Sequence, residues 1–337
     1  MQVSRPITLI CTCCLLVLLP FLGQAQQAER LPFLEPADSF NNSRFWTCAI
    51  AGTAIYTGFS IALYETWYKE YELTGFHTFN DWGEWRDMDK MGHLFTAAME
   101  SRLAFGGARW TGMDRRKAMW TGAAVSTLLQ STIEVMDGFS AKWGFSWGDV
   151  AYNTLGTGVF VAQEMLWEEQ RITLKVSNTR PNYATTPISS EEGSAFSSPR
   201  QRANELFGEG FFETFLKDYN GMTIWASVNV NSFLPPSQRN RGLPKWLNIA
   251  VGYGADGLLG GYGNSWTDEN GAVFKLSPSE YPRYNQFYLS LDIDLSRVPT
   301  QNRFLKSLLN ALHWIKIPAP TLEWDTRGGM KGHWLYW

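Results

Sequence analysis

The hydrophobic positions in the first half of the chain recur with the period of a helix. Four runs show this pattern, at 45–68, 87–110, 114–137 and 146–169. At about 1.5 Å of rise per residue, each run is about 30–35 Å long. The short connections between the runs favour antiparallel neighbours. The pattern therefore predicts an up-down helical bundle.

The last third of the chain alternates between apolar and polar residues. In 285–296 the odd-numbered positions from Phe287 onward are apolar and the even-numbered ones are mostly polar, which predicts a half-buried strand. The same alternation predicts strands at 223–230 and 246–253, and 304–315 has the pattern of an amphipathic helix. The expected fold class is mainly α: an antiparallel up-down bundle followed by a smaller antiparallel β segment.

The first 25 residues have the composition of a secretory signal peptide. Arg5 provides a positive start, residues 7–22 are apolar, and Gly23-Gln24-Ala25 is a small-x-small cleavage site. We therefore expect an exported protein of a Gram-negative bacterium. Of the four cysteines only Cys48 lies outside this segment, so we expect neither an internal disulfide nor a cysteine-based metal site.

The rest of the chain divides by composition. A polar lead-in, 26–44, precedes the predicted bundle, 45–172, and residues 173–200 have the Pro, Ser and Thr content of a linker. Residues 201–337 are expected to hold a helix and antiparallel strands. With a net charge of −3 and no basic block, the chain is not expected to bind nucleic acid.

Aromatic residues and positive charges bear on the location. Aromatic residues make up 15% of the chain, which suits an aromatic core or a membrane interface. Insertion in the inner membrane would place Arg109, Arg115, Arg116 and Lys117 in the periplasm, whereas such residues prefer the cytoplasmic side. We therefore expect a location in the periplasm or at the outer membrane, with the bundle resting on that membrane or partly embedded in it.

Three of the four runs carry a pair of polar residues on one helix face. Two pairs lie where a run begins and one pair lies where a run ends, so an antiparallel bundle would gather all of them at one pole. The pairs are Asp89 and His93, Glu134 and Asp137, and Asp149 and Asn153.

Several kinds of chemistry fit this set. Carboxylate and imidazole groups are ligands for Mg²⁺, Mn²⁺ or Zn²⁺, which makes Asp89, His93, Glu134 and Asp149 candidate ligands of a divalent metal. Crowded carboxylates raise one another's pKa, and Asp137 is the candidate catalytic base. Lys90 would offset the negative charge or contact a phosphate.

A purely structural role is the main alternative. Either Asp87 or Asp89, and Asp149, are also suited to cap helices. His93 is suited to be a hydrogen-bonded core histidine, and Asn153 to bridge backbone to Asp149. Gly156 would let two helices approach closely. Three interpretations therefore stay open: a polar network, a ligand or metal site, and a catalytic site.

The order and spacing of these residues resemble a known domain. The motifs are Asp89-Lys90-x-x-His93, then Glu134-x-x-Asp137, then Ser146-Trp147-x-Asp149-x-x-x-Asn153-x-x-Gly156. Together they resemble the YfiM-like domain of unknown function, described as a predicted periplasmic lipoprotein, and more faintly VanZ-like membrane proteins. The resemblance covers about residues 85–165, and the longer architecture is similar to versions of the domain in Bacteroidetes.

The resemblance implies an envelope location and a helical fold, and it brings no established activity. The sequence departs from the lipoprotein description because no cysteine lies in a lipobox. The leading hypothesis is a non-enzymatic envelope protein that binds a lipid or a partner protein of the envelope. The alternative is a metal-dependent hydrolase or transferase acting on an envelope lipid or glycan.

Overall fold

Four long helices begin and end within a few residues of the predicted runs. They are α1 (Asn42–Leu63), α2 (Met88–Trp110), α3 (Arg115–Gly138) and α4 (Trp147–Trp167). The computed structural model describes residues 33–69, 71–235, 237–239 and 242–337. The predicted signal peptide, 1–25, and the start of the lead-in, 26–32, lie outside the described residues. All elements named here belong to the compact unit Pro36–Trp337.

Side-chain caps explain where these helices begin. The carboxylate of Asp114 accepts hydrogen bonds from the amides of Arg116 and Lys117 at the start of α3. The Ser146 hydroxyl accepts from the Asp149 amide at 3.0 Å and so caps the start of α4.

Helices α2, α3 and α4 pack side by side, and glycines allow their close approach. A Cβ at Gly156 would lie 2.2 Å from the Leu94 carbonyl oxygen of α2, and one at Gly122 would lie 2.4 Å from the Ser101 carbonyl oxygen. The expected role of Gly156 is therefore confirmed. Helix α1 is tied to the group by Arg44, whose guanidinium donates to the Trp110 carbonyl at 3.0 Å, but most of its side chains are exposed.

A six-stranded antiparallel sheet follows, in the order β1-β4-β5-β8-β9-β10. Its strands are β1 (Ile172–Asn178), β4 (Met222–Asn229), β5 (Leu247–Asp256), β8 (Tyr284–Ile293), β9 (Ala319–Asp325) and β10 (Met330–Tyr336). The intervening elements are β2 (Ile188–Ser189), β3 (Phe196–Ser197), α5 (Pro199–Phe207), α6 (Phe211–Lys217), α7 (Val230–Phe233), β6 (Ser265–Thr267), β7 (Val273–Lys275) and α8 (Arg303–Ala311).

The predicted linker, 173–200, is not a linker throughout. Residues 173–178 are part of strand β1, which pairs with β4 from Ile172 opposite Val228 to Asn178 opposite Met222. The alternation was missed because Lys175 and Ser177 face inward and are 1% exposed. Polar inward positions do not produce the hydrophobic pattern of an ordinary strand.

The predicted strand at 285–296 is present as β8, but its buried face is the polar one. Ser290 and Asp292 are 4% and 1% exposed, whereas Leu289 and Leu291 are 40% and 48% exposed. Periodicity reveals that two faces differ, but it does not reveal which face is covered.

The fold is a helical layer joined to a substantial sheet. Helices make up 43% and strands 21% of the described residues, so the expected class of mainly α is not confirmed. The two parts share a core in which Met88 and Phe95 of α2 pack with Val176 of β1 and Ile224 of β4. This contact places the first turns of α2, and hence Asp89 and His93, next to the sheet.

Candidate functional site

The polar pairs predicted to converge lie together where α2 and α4 begin and α3 ends. His93 is the centre of the group. Its Nδ1 atom lies 3.1 Å from Asn153 Oδ1 and 3.5 Å from Glu134 Oε1, and its Nε2 atom lies 3.8 Å from Asp89 Oδ2 and 3.9 Å from Asp149 Oδ2. Side chains from three helices therefore meet around one imidazole ring.

The hydrogen bonds around Asn153 fix the direction of this ring. The Asn153 amide nitrogen donates to Glu134 Oε1 at 3.3 Å, so its carbonyl oxygen is the atom that faces His93. That oxygen requires a donor, and His93 Nδ1 therefore carries a proton. In the neutral ring the lone pair is on Nε2, which faces Asp89 and Asp149.

Three donor atoms have the spacing of a metal-binding group. One atom each from Asp89, His93 and Asp149 lies within 4.8 Å of the others. Glu134, also predicted as a ligand, lies instead beside the opposite ring nitrogen. The side chain of Asp89 is 31% exposed and that of Asp149 is 7% exposed, so the group opens to solvent on the Asp89 side.

Lys90 is buried beside the group and pairs with two carboxylates. Its Nζ atom lies 2.7 Å from Asp81 Oδ1 and 3.3 Å from Asp149 Oδ1, and its side chain is 1% exposed. A Cβ at Gly148 would lie 2.9 Å from Lys90 Cε, so the glycine makes room for this side chain. Of its two predicted roles, Lys90 has the contacts for offsetting negative charge.

Two tyrosines and one aspartate that no sequence pattern marks complete the surroundings. The Tyr68 hydroxyl donates to Asp137 at 2.6 Å, and the Tyr219 hydroxyl donates to Asp89 at 2.5 Å. Asp81 accepts from the Ser146 hydroxyl at 2.7 Å in addition to its pairing with Lys90. They come from loops and from the π-helical turn after α1, so helical spacing gave no signal for them.

Burial and crowding shift the protonation of the group. Burial by itself lowers the pKa of His93, but the charges of Asp89, Asp149 and Glu134 outweigh it and raise the pKa to about 9. Burial raises the pKa of Asp149 to about 8, of Glu134 to about 7 and of Asp137 to about 6. The group therefore holds protons at neutral pH that free side chains would release.

A cavity of about 320 Å³ lies between α3 and α4 and reaches this group. Apolar side chains such as Trp120, Val150 and Val161 line it, together with Gln130, Glu134 and Asn153. The buried Oε1 atom of Gln130 has no hydrogen-bond partner, although its Nε2 atom donates to Glu100 at 2.9 Å. The cavity thus has both apolar and polar lining residues, and it meets the cluster at Glu134 and Asn153.

A known protein family matches the part of the chain that carries these residues. Residues 78–164 match the model of a family described as "Predicted periplasmic lipoprotein (DUF2279)". The match includes every predicted site residue and supports an exported, periplasmic protein of unknown function. The similarity to YfiM-like and VanZ-like proteins stays a prediction. Comparison with curated proteins and with solved structures gave no match.

Proposed function

We propose that the chain is a cell-envelope protein that binds one divalent metal ion between Asp89, His93 and Asp149. The orientation of His93 is the main support. Asn153 engages Nδ1, and Nε2 is directed towards two carboxylates. A metal-bound histidine usually donates its other ring N–H to an oxygen acceptor, and that acceptor fixes the ring.

The spacing of the donor atoms is compatible with such an ion. Ligands at about 2.0–2.2 Å from Zn²⁺ lie about 3–4 Å from one another. The three donor atoms lie within 4.8 Å, so a small inward movement of the partly exposed Asp89 would complete the set. One nitrogen and two carboxylate oxygens suit Zn²⁺ or Mn²⁺.

The neighbouring charges fit the same proposal. Lys90 lies closer to Asp81, at 2.7 Å, than to Asp149 Oδ1, at 3.3 Å, so Asp89 and the second oxygen of Asp149 face the proposed ion. Glu134 would orient His93 together with Asn153 and would not bind the metal itself.

Metal content tests the proposal directly. The purified full chain is dialysed against Zn²⁺, Mn²⁺ or Mg²⁺, and the bound metal is measured by plasma mass spectrometry. We expect close to one equivalent of Zn²⁺ or Mn²⁺, and a lower unfolding temperature after treatment with chelator. An ion present at about 100 times its Kd stabilises the folded state by about 2.7 kcal/mol.

Two variants make the test specific. His93→Gln should lose the metal, whereas Asp137→Asn should retain it, because Asp137 is engaged by Tyr68. A wild-type protein that holds only traces of metal, with an unfolding temperature that chelator leaves unchanged, would contradict the proposal. The cluster would then be a proton-sharing structural network.

A metal-dependent hydrolase or transferase is the second candidate, favoured by the cavity beside the cluster. Three protein ligands leave a coordination position for water, and the cavity, which meets the cluster at Glu134 and Asn153, has room for part of a lipid substrate. The test is release of fatty acid or phosphate from purified envelope lipids by the metal-loaded protein. Loss of turnover in Asp137→Asn, with metal content unchanged, would support Asp137 as the base.

We also propose that the protein resides at the outer membrane. Export is supported by the family match, and the exposed apolar side chains described below favour a membrane. Recovery in the outer-membrane fraction of a density gradient is the expected result. Recovery in the soluble periplasmic fraction would contradict it.

A further inference from the structure

The outer face of strands β5, β8 and β9 is a continuous apolar ladder. Across the three strands, Val251 pairs with Leu289, which pairs with Leu322. Their exposed fractions are 54%, 40% and 45%. The neighbouring rungs place the exposed Ile249 opposite Leu291 and the exposed Phe287 opposite Trp324, while Tyr253, next to Phe287, is partly buried against the core under α2. Aliphatic and aromatic side chains thus lie side by side on the outside of the molecule.

The inner face of the same strands carries the charged and polar groups. Asp292 on β8 is 1% exposed, and its Oδ2 atom lies 2.6 Å from Lys175 Nζ and accepts from the Ser227 hydroxyl at 2.6 Å. On β9, Glu323 lies 2.6 Å from His333 Nε2 and is 3% exposed. Apolar residues outside and ion pairs inside are the reverse of the arrangement expected in water.

Helix α2 covers only part of this apolar face. Met88 and Phe95 pack on Val176 of β1 and Ile224 of β4, and this contact gives those strands an ordinary buried core. The ladder on β5, β8 and β9 continues the same face beyond the helix and stays exposed.

Two helices present further apolar surface. Among the described residues, α1 is the helix long and apolar enough to cross a membrane by length and composition, and no residue of its most apolar segment is buried. Helix α8 is short and amphipathic, with Phe304 68% exposed and with Arg303 and Lys306 in its first turns. Apolar residues next to basic residues suit a helix that lies at the surface of an anionic bilayer.

We propose that the ladder on β5, β8 and β9 contacts the acyl chains of a lipid bilayer, with α8 at its polar boundary. Strands that face lipid carry apolar side chains outward and polar side chains inward. A bilayer explains three features together: the exposed apolar ladder, the apolar surface of α1, and the basic residues at the start of α8. A second copy of the chain would have to cover three separate elements. The proposal is independent of the metal site.

Depth-dependent fluorescence quenching tests this contact in the full chain. In a background without the native cysteines, Leu289→Cys is labelled with an environment-sensitive fluorophore. The protein is then reconstituted into phosphatidylcholine and phosphatidylglycerol vesicles with brominated acyl chains. We expect the label at position 289 to lose much of its fluorescence in brominated relative to ordinary vesicles. The matched control is Glu280→Cys, which is also exposed but lies in a polar loop, and its fluorescence should not change.

A charge substitution gives a second readout. Leu289→Lys should increase extraction from membranes by carbonate, whereas Glu280→Lys should leave extraction unchanged. Near-UV circular dichroism reports whether each variant is folded. Equal fluorescence of both labels in the two kinds of vesicle would overturn the proposal. Cross-linking between copies of the Leu289→Cys variant through the introduced thiol, without quenching, would overturn it too, because the ladder would then be a protein interface.

Discussion

At the scale of single residues, Lys90 shows how charge is arranged around the candidate site. Lys90 follows Asp89 in the first turn of α2. Its contacts with Asp81 and Asp149 are consistent with the expected role of offsetting negative charge. Its closest partner, Asp81, was not predicted because it lies in a loop before α2 with no helical spacing to mark it. Contacts between a helix and an irregular loop depend on the tertiary fold.

Removing the Lys90 charge should therefore destabilise the protein strongly. Lys90→Met leaves Asp81 and Asp149 buried without their cation, and loss of one partner from a buried pair costs about 3–5 kcal/mol. The free energy of unfolding in urea measures this effect.

The matched control for this substitution is Lys69→Met. Lys69 lies 2.7 Å from Glu65, but both side chains are more than half exposed, so its removal should cost less than about 1 kcal/mol. If both variants lost the same free energy of unfolding, burial of the Lys90 ion pairs would not increase their contribution to stability.

At the scale of elements, hydrophobic periodicity located the four long helices and three of the strands. The pattern does not mark β9, and it assigns β1 to a linker. The inward faces of β1 and β9 carry groups such as Lys175 and Glu323. The period of two in β8 is present, and its buried side is the even-numbered one, where Tyr288 packs against Trp225 beside the polar groups.

Two glycines of α4 should respond in opposite directions to the same substitution. Gly156→Ala places a methyl group 2.2 Å from the Leu94 carbonyl oxygen and should destabilise the fold by about 1–3 kcal/mol. A Cβ at Gly158 would have no neighbour within 4 Å, so Gly158→Ala should stabilise the helix by about 0.5–1 kcal/mol.

Thermal unfolding of both variants checks this pair. A rise in unfolding temperature for Gly156→Ala would mean that α2 and α4 are not in close contact.

At the scale of the whole molecule, proton binding by the cluster should set the stability of the metal-free protein. The folded-state pKa values of His93, Asp149 and Glu134, about 9, 8 and 7, all lie above their ordinary values of 6.5, 3.8 and 4.5. Each group thus contributes stability that is fully present below its ordinary pKa and is lost as the pH rises through its folded-state pKa.

The free energy of unfolding should therefore fall as the pH rises from about 4 to about 9. Urea denaturation across this range measures it, and Glu134→Gln should make the decline shallower. Stability that rises steadily over the same range would contradict the raised pKa values.

Metal binding should have the opposite pH dependence. The ion requires Asp89, Asp149 and Nε2 of His93 without protons, so its affinity should increase with pH and each binding event should release protons. Titration calorimetry of Zn²⁺ in two buffers with different ionisation enthalpies counts the released protons. Identical heats in the two buffers would exclude such coupling.

The hydrogen bond from Tyr219 to Asp89 has a consequence for dissecting the molecule. Residues 78–164 contain every predicted ligand. Tyr219, which donates to Asp89, and Ile224, which packs with Met88 and Phe95, lie outside this range. An excised fragment of this length would expose Met88 and Phe95 and would leave Asp89 without its phenolic donor. Transfer of the motif to another scaffold would therefore require new residues that cover Met88 and Phe95 and donate a hydrogen bond to Asp89.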